Sequence, residues 1–350
     1  MSKRRLVLMG AGMIGREHAT LIAGHPAAEL VGIADPTPEA RAYAAEINVR
    51  HFDDYGRMLD DIKPDGAIVA LPNHLHVPAA LACIERGIVP LVEKPIADTL
   101  DAARRLTQAS EASGVPVLVG HHRRHSPDIR EARRVVRAGE LGDLVAINGM
   151  CLFDKPNDYF SASWRRSAGG GPLLINLIHD IDSLRFICGE IDSVRAFTSN
   201  AVRGFDVEDT ASVTLRFASG VLGTFMISDA VASPWSWEFT SAQALYFPSQ
   251  PGAYLFIGGR KASLSVSDMY LWRHAEPAGH WQHPFVREHR PLDGSRAYAN
   301  QLEHFLAVVD RKAEPVVTAR DGMMTLAATL AITAAAREDR TVSVADFARS

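Results

Sequence analysis

The first 120 residues alternate short, fully apolar runs with amphipathic segments, and this alternation constrains the fold more than any other feature of the chain. Helical periodicity separates the apolar runs. Strands without a polar face, separated by helices, are what a parallel sheet covered on both faces requires. The sequence therefore predicts an α/β, doubly wound Rossmann sheet in this region. The predicted strands are 6–9, 30–34, 66–71, 89–93 and 117–120, and the predicted helices are 14–22, 38–47, 77–86 and 100–113.

The pattern changes after about residue 125. A helix at 129–138 is followed by successive apolar runs with turn signals between them, which favours a mostly antiparallel sheet. We predict strands at 144–150, 194–198, 211–217, 223–227, 254–257, 262–266 and 270–273, and two closing helices at 299–309 and 320–337. This gives a Rossmann domain over 1–122 and a C-terminal α+β domain with a large sheet over 123–350. The stretch 233–252 has no clear pattern.

Composition excludes several classes of protein. The 350 residues carry 37 Lys and Arg against 41 Asp and Glu, a net charge of −4. The net charge therefore gives no electrostatic attraction between the whole chain and nucleic acid. The 3 cysteines are too few and too scattered for a disulfide framework. The apolar run near the N-terminus is too short for a signal peptide, and no run reaches membrane-spanning length. We expect a soluble, cytoplasmic protein without nucleic-acid or membrane partners.

A glycine fingerprint lies between the first predicted strand and helix. Gly10, Gly12 and Gly15, with Met13 and Ile14, form G-x-G-x-x-G, which suits a pyrophosphate on a helix N-terminus. Asp35 ends the second strand, where a carboxylate binds ribose hydroxyls and repels a 2′-phosphate, so NAD is favoured over NADP. The alternatives are a glycine turn without a ligand and an aspartate that caps the next helix.

Glu93-Lys94-Pro95 directly follows the fourth predicted strand, and Gly169-Gly170-Gly171 leads to His179. With the fingerprint and Asp35, these motifs make nearly the whole chain resemble the Gfo/Idh/MocA oxidoreductase family. The resemblance implies that Lys94 contacts the nicotinamide region and the reacting hydroxyl, that Glu93 meets the nicotinamide ribose, and that the bond before Pro95 is cis. It also implies further cofactor contacts, from Pro72, Asn73 and His76 after the third strand and from Trp164 and Arg165 in the second domain.

A predicted buried helix carries Asn176 and His179, which are three residues apart and share a face. Members of the family that this chain resembles carry an aspartate four residues before the histidine, but this chain has Ile175 there. An amide cannot act as a base. We therefore expect His179 to be the general acid/base and Asn176 to orient the substrate, whereas Asp182 is structural. The alternative for His179 is a hydrogen-bonded core histidine.

Further candidate substrate contacts are His122 and Arg123, in a basic turn after the fifth strand, and Tyr298 on a late helix. The turn suits an anionic group of a substrate, although it reads equally well as a solvated basic turn. Two clusters could suggest a metal site: His121, His122 and His125 in one, and His179, Asp180 and Asp182 in the other. Neither cluster has cysteine or zinc-type spacing, so we expect no metal.

Together these features predict an NAD-dependent dehydrogenase. It oxidises a secondary hydroxyl of a sugar, cyclic polyol or related cyclic diol to a ketone, with Lys94 stabilising the alkoxide and His179 handling the proton. Two alternatives remain within the family: an NAD-using glycoside hydrolase and a non-catalytic NAD- or ligand-sensing regulator. The resemblance also implies a homodimer or homotetramer formed through the C-terminal sheet.

Overall fold

The computed structural model describes residues 3–244, 246–276 and 279–349. The chain divides into two compact units. The first comprises Met1–His122 and Ala297–Leu326, and the second comprises Arg123–Arg296 and Ala327–Ser350.

The first unit contains a six-stranded sheet in which all strand pairs are parallel. Its strands are β1 (Arg4–Met9), β2 (Ala28–Ala34), β3 (His51–Phe52), β4 (Gly66–Val69), β5 (Val89–Val92) and β6 (Leu118–Val119), and its helices are α1 (Met13–Gly24), α2 (Pro38–Glu46), α3 (Tyr55–Ile62), α4 (Asn73–Ile84) and α5 (Leu100–Ser113). The strand order is β3-β2-β1-β4-β5-β6. The predicted Rossmann sheet is confirmed, and β3 and α3 are elements that the sequence pattern did not reveal.

The second unit contains a nine-stranded sheet of order β14-β13-β12-β11-β7-β10-β9-β8-β15. Only the β7–β10 pair is parallel within the described residues, so the predicted mostly antiparallel sheet is confirmed. Its strands are β7 (Leu144–Leu152), β8 (Ile191–Ser199), β9 (Thr210–Phe217), β10 (Leu222–Ser228), β11 (Leu255–Gly259), β12 (Ser263–Val266), β13 (Tyr270–His274), β14 (Phe285–His289) and β15 (Val342–Ser343).

Three helices of the second unit lie before residue 297: α6 (Pro127–Arg137), α7 (Ile178–Cys188) and the short α8 (Trp237–Thr240). A π-helical turn, Leu173–Leu177, leads directly into α7. Within 233–252, α8 is the helix that the structure shows among the described residues, and Leu245 lies outside them. Sequence analysis did not predict β14 or β15.

The chain ends in α9 (Ala297–Val309), α10 (Ala319–Arg337) and α11 (Val344–Arg349), of which α11 was not predicted. The predicted division placed 297–326 in the second domain, whereas the structure places this segment in the first unit. The reason is apolar packing, because Phe305 of α9 lies in the same buried cluster as Leu6 and Leu8 of β1. A Cβ at Gly66 of β4 would lie 3.0 Å from the Phe305 ring, which shows how closely α9 packs on the sheet.

In the described part of the chain, no helix combines the length and apolarity that a membrane crossing requires. Cys83, Cys151 and Cys188 are free thiols.

Candidate active site

A different structural reason explains glycine at each of the three fingerprint positions. Gly10 has φ +91°, and a Cβ there would lie 2.3 Å from the carbonyl oxygen of Ala70. A Cβ at Gly15 would lie 2.0 Å from the carbonyl oxygen of Gly10, so Gly15 lets α1 approach the turn. A Cβ at Gly12 would meet no atom within 4 Å, so this residue faces open space where α1 begins. The loop therefore forms an open cradle at a helix N-terminus, which suits a pyrophosphate.

A cleft of about 580 Å³ lies over this cradle, at the carboxyl ends of the parallel strands. Ligands bind at this edge of open α/β sheets. The cleft brings together ten of the predicted cofactor-site residues: Gly10, Gly12, Met13, Ile14, Asp35, Pro72, Asn73, His76, Glu93 and Lys94. Gly15 packs behind the cleft instead of lining it. The predicted loop at 72–76 is largely the first turn of α4, which begins at Asn73.

Asp35 follows β2 and is held as a carboxylate. Its Oδ2 accepts the Ala11 N–H at 2.9 Å, and its Oδ1 accepts the N–H and the hydroxyl of Thr37 at 2.9 and 2.7 Å. Burial alone would raise the pKa of Asp35, but these hydrogen bonds outweigh it and lower the pKa. A charged carboxylate at this position attracts ribose hydroxyls and repels a phosphate, so the residues present fit NAD.

Glu93 and Lys94 follow β5. The buried Glu93 carboxylate accepts from His18 Nε2 at 2.8 Å through Oε1, and from the Lys94 N–H at 3.2 Å through Oε2. Burial by itself raises the pKa of Glu93, yet the contacts with His18 and Lys94 lower it overall. Lys94 is half-buried, and the bond between Lys94 and Pro95 is cis, as predicted. The backbone of Lys94 is thus anchored by the carboxylate of its neighbour.

His76 lines the cleft, but both of its ring nitrogens face backbone carbonyl oxygens of the protein. Its Nδ1 lies 2.7 Å from the carbonyl oxygen of Pro95, and its Nε2 lies 2.7 Å from that of Leu71. Burial lowers the pKa of His76. The imidazole therefore connects the segment after β4 to the turn that holds Lys94.

Three aromatic side chains of the first unit meet near Glu93. The Tyr298 ring stacks on His122, with centroids 4.2 Å apart, and meets the edge of His18 at 5.8 Å. Tyr298 and His122 were predicted as substrate contacts, and the structure places them beside the partner of Glu93. His18 was missed by sequence analysis, although its position on the buried face of α1, three residues after Gly15, was a usable signal.

In the second unit, Asn176 lies in the π-helical turn and His179 in the first turn of α7. Such π turns are frequent at functional sites. Glu208 holds the start of this turn, because its Oε1 accepts the Leu173 N–H at 3.0 Å. A Cβ at Gly171 would lie 2.3 Å from the same carboxylate, which explains one residue of the glycine run. Burial is the main cause that raises the pKa of Glu208.

Lys155, which sequence analysis missed, reaches the same turn. Its Nζ donates to Asn176 Oδ1 at 2.8 Å and lies 3.2 Å from Asp229 Oδ2. The ammonium also lies 4.8 Å from the centre of the Tyr159 ring, which Arg165 contacts at 3.9 Å. Burial lowers the pKa of Lys155, although Asp229 opposes this shift. A lone lysine in an irregular stretch gave no pattern from which this role could be predicted.

Arg123, predicted as a substrate contact, is instead enclosed in protein. It is 1% exposed and donates to Asp180 and Glu238, each at 2.6 Å, over the ring of Trp237. Burial, together with Glu238, raises the pKa of Asp180 to about 7 against the effect of Arg123. The Arg123 guanidinium is committed to two carboxylates, so we do not assign it to substrate.

Arg124 forms a similar internal pair with Asp182, at 2.7 and 2.8 Å, and both are buried. This geometry agrees with the structural role expected for Asp182. Trp164 and Arg165 lie in a short 3₁₀ turn, Ser163–Arg166, of the second unit, where Trp164 is 53% exposed. Across residues 3–244, 246–276 and 279–349, no group of three His, Cys, Asp or Glu side chains is arranged to hold a metal ion.

The fold and the cleft define an NAD-binding oxidoreductase, and comparison with known proteins identifies the family. Residues 4–121 match the model of the oxidoreductase family with an NAD-binding Rossmann fold, and residues 129–244 match the GFO/IDH/MocA C-terminal domain. The rhizopine catabolism protein MocA of Rhizobium meliloti is 30% identical over 279 residues, which are 75% of this chain and 85% of that protein. The chain belongs to the Gfo/Idh/MocA family.

Two further relatives match along nearly their full length. Inositol 2-dehydrogenase of Rhizobium meliloti strain 1021 is 26% identical over 97% of this chain and 99% of its own. The WlbA dehydrogenase of Bordetella pertussis, solved with NADH and UDP-GlcNAcA, is 25% identical with a TM-score of 0.80, over 97% of this chain and 98% of that one. The protein is therefore an NAD-binding enzyme of a family whose named members include sugar and polyol dehydrogenases.

Proposed function

We propose that the protein is an NAD-dependent dehydrogenase that oxidises a secondary hydroxyl of a sugar, cyclic polyol or related cyclic diol to a ketone. The observation that carries this proposal is the anchored Lys94 in the cleft over the glycine cradle. In this proposal the first unit binds the cofactor, and the second unit contributes residues that bind the substrate. Relatives named as dehydrogenases of inositol and of D-apiose support the substrate class.

NAD⁺, when bound, supplies a hydride acceptor. Gly12 and the amides that begin α1 would hold the pyrophosphate, and Asp35 would hold the adenosine ribose. Lys94 would stabilise the alkoxide that forms as the substrate hydroxyl loses its proton, before hydride leaves the carbon, because a fixed cation is most effective where charge appears in the transition state. Oxidation of R₂CH–OH to R₂C=O releases one hydride and one proton. His179 accepts the proton, and Asn176 orients the substrate.

Turnover of purified protein with NAD⁺ and a panel of aldoses, inositols, sugar acids, cyclic diol acids and a few aryl glycosides tests this proposal. We expect NADH formation with at least one compound, and we expect Lys94→Ala to abolish it while NADH binding, followed by fluorescence, changes little. Lys312→Ala is the matched control, since that side chain is 64% exposed. Equal turnover in Lys94→Ala and the control refutes the role of Lys94. Glycoside cleavage without NADH refutes the reaction.

The second unit also supports the expected homo-oligomer. Along β10, exposed residues alternate with buried ones, so one face of the sheet is packed and the other is open. The open face carries large apolar side chains: Phe197 is 64%, Leu222 53%, Phe256 43%, Met226 40% and Trp272 37% exposed. Contiguous exposed apolar surface marks an interaction site. We assign it to a second copy of the chain, which sedimentation of the pure protein tests directly.

A further inference from the structure

The hydrogen bond between Lys155 and Asn176 fixes which end of the Asn176 amide is available. An ammonium group can only donate, so the amide oxygen of Asn176 must be the atom that faces Lys155 Nζ at 2.8 Å. The Asn176 NH₂ group is therefore turned away from Lys155.

Lys155 and Asn176 carry more hydrogen-bond donors than the described residues around them accept. Lys155 Nζ donates to Asn176 and Asp229, which leaves its third proton, and neither this proton nor the Asn176 NH₂ group has an acceptor among the described residues. The Lys155 side chain is 8% exposed, so water satisfies that proton poorly. Buried donors without a partner are costly, and a ligand oxygen that fills the place relieves that cost.

The neighbouring carboxylates already accept hydrogen bonds. Asp229 accepts from Arg203 Nε at 2.9 Å as well as from Lys155, and Glu208 accepts the Leu173 N–H. Asp209 accepts the backbone N–H groups of Val202 and Arg203 at 3.0 and 2.9 Å. A ligand hydroxyl would need an acceptor for its own proton, and a carboxylate would not. The site thus favours a group that only accepts hydrogen bonds.

We propose that Lys155 and the Asn176 NH₂ group form a subsite, made of hydrogen-bond donors alone, that binds a carboxylate of the substrate. The subsite lies close to His179, because the turn that carries Asn176 continues directly into α7. This inference rests on the proposed function and narrows its substrate class to hydroxy acids. The substrate is a sugar or cyclic polyol that carries a carboxylate near the hydroxyl that is oxidised. Lys155 both binds this carboxylate and positions Asn176.

Matched acid and neutral compounds test the subsite: glucuronate against glucose, and quinate against myo-inositol. Binding of each compound to the NADH-loaded enzyme is measured by calorimetry, and initial rates are measured with NAD⁺. Asn176→Asp reverses the donor but keeps an acceptor for Lys155, so it is expected to fold. Lys155→Met removes the cation and keeps an unbranched side chain that is one atom shorter. Lys261→Met, an exposed lysine of the same unit, is the control.

We expect the wild type and Lys261→Met to bind the acid at least tenfold more tightly than its neutral counterpart in at least one pair. Asn176→Asp and Lys155→Met should lose that preference, with a raised dissociation constant and a raised KM for the acid and little change in the binding of its neutral counterpart. The absence of an acid preference in every pair, or its survival in both variants, overturns the subsite. An acid preference in binding without any turnover leaves the subsite standing and refutes the dehydrogenase instead.

Discussion

Two histidine–glutamate pairs of the first unit have the same distance between nitrogen and oxygen, but one pair is buried and the other is exposed. His18 Nε2 lies 2.8 Å from Glu93 Oε1, with side chains 2% and 8% exposed. His25 Nε2 lies 2.8 Å from Glu303 Oε2, with side chains 18% and 74% exposed. Replacement of each histidine by leucine therefore compares one chemical interaction inside the protein and at its surface.

We predict that His18→Leu lowers the free energy of unfolding by about 2–4 kcal/mol at pH 7. The hydrogen bond to the charged Glu93 is worth about 1.5–3 kcal/mol, and after its loss the buried carboxylate keeps the hydrogen bond from the Lys94 N–H. Leaving a buried charged group short of a hydrogen-bond partner costs about 1–3 kcal/mol or more, and the apolar leucine recovers part of this. His25→Leu should cost less than about 1 kcal/mol, because its pair is exposed.

The pH dependence gives a second measurement. The pKa of Glu93 is lowered in the folded protein, so this group stabilises the fold above the unfolded glutamate pKa of about 4.3, and the contribution fades as the pH falls through the lower, folded-state pKa. In His18→Leu the main cause of that lowering is absent. The difference between wild type and His18→Leu should therefore be largest near neutrality and shrink below about pH 4. Equilibrium urea unfolding measures both effects, and equal losses for His18→Leu and His25→Leu at pH 7 refute the reasoning.

Three further predictions follow from the site and the sheet. Asp35→Asn should raise the kcat/KM ratio of NADP⁺ to NAD⁺ at least tenfold, because the carboxylate that repels a 2′-phosphate is gone; an unchanged ratio contradicts this. Gly15→Ala should abolish NADH binding or destabilise the protein by several kcal/mol, since its Cβ would lie 2.0 Å from the Gly10 carbonyl oxygen. Gly24→Ala on the same helix is the control: its Cβ would meet no atom within 4 Å, so the melting temperature should change little. Phe256→Glu should reduce the sedimenting species to a monomer if a second copy covers the open sheet face, and an unaltered oligomer argues for another interface.

Periodic and local signals were the predictable part of this molecule. The helix at Leu100–Ser113 has the predicted bounds, since Thr99 caps its start and Gly114, in the left-handed region, ends it. Gly15 and Asp35 were also predictable, because their contacts are local: Gly15 meets Gly10, and Asp35 accepts from Ala11, 24 residues before it. Short elements such as β3, with two residues, contain too little pattern to be recognised.

Contacts between distant segments were not predictable. Lys155 meets Asn176 across 21 residues and Asp229 across a longer interval, and His18 meets Glu93 across 75 residues. Arg123 was misjudged for the same reason, because Glu238, 115 residues away, is one of the two carboxylates that enclose it. A basic turn read in isolation resembles a solvent-exposed anion site, and only the fold shows that its arginines are internally paired.

The return of α9 to the first unit has a consequence for the order in which the protein forms during synthesis. Domains generally fold as units while the chain emerges from the ribosome, with N-terminal ones first. Here the parallel sheet is made early, yet Phe305 and Leu302, which complete its core, are made only after the strands of the nine-stranded sheet up to β14. Until then the surface of β1 and β4 that these side chains cover is exposed. The nascent first unit therefore keeps this apolar surface open until α9 has been made, and the second unit is completed later still, by Ala327–Ser350.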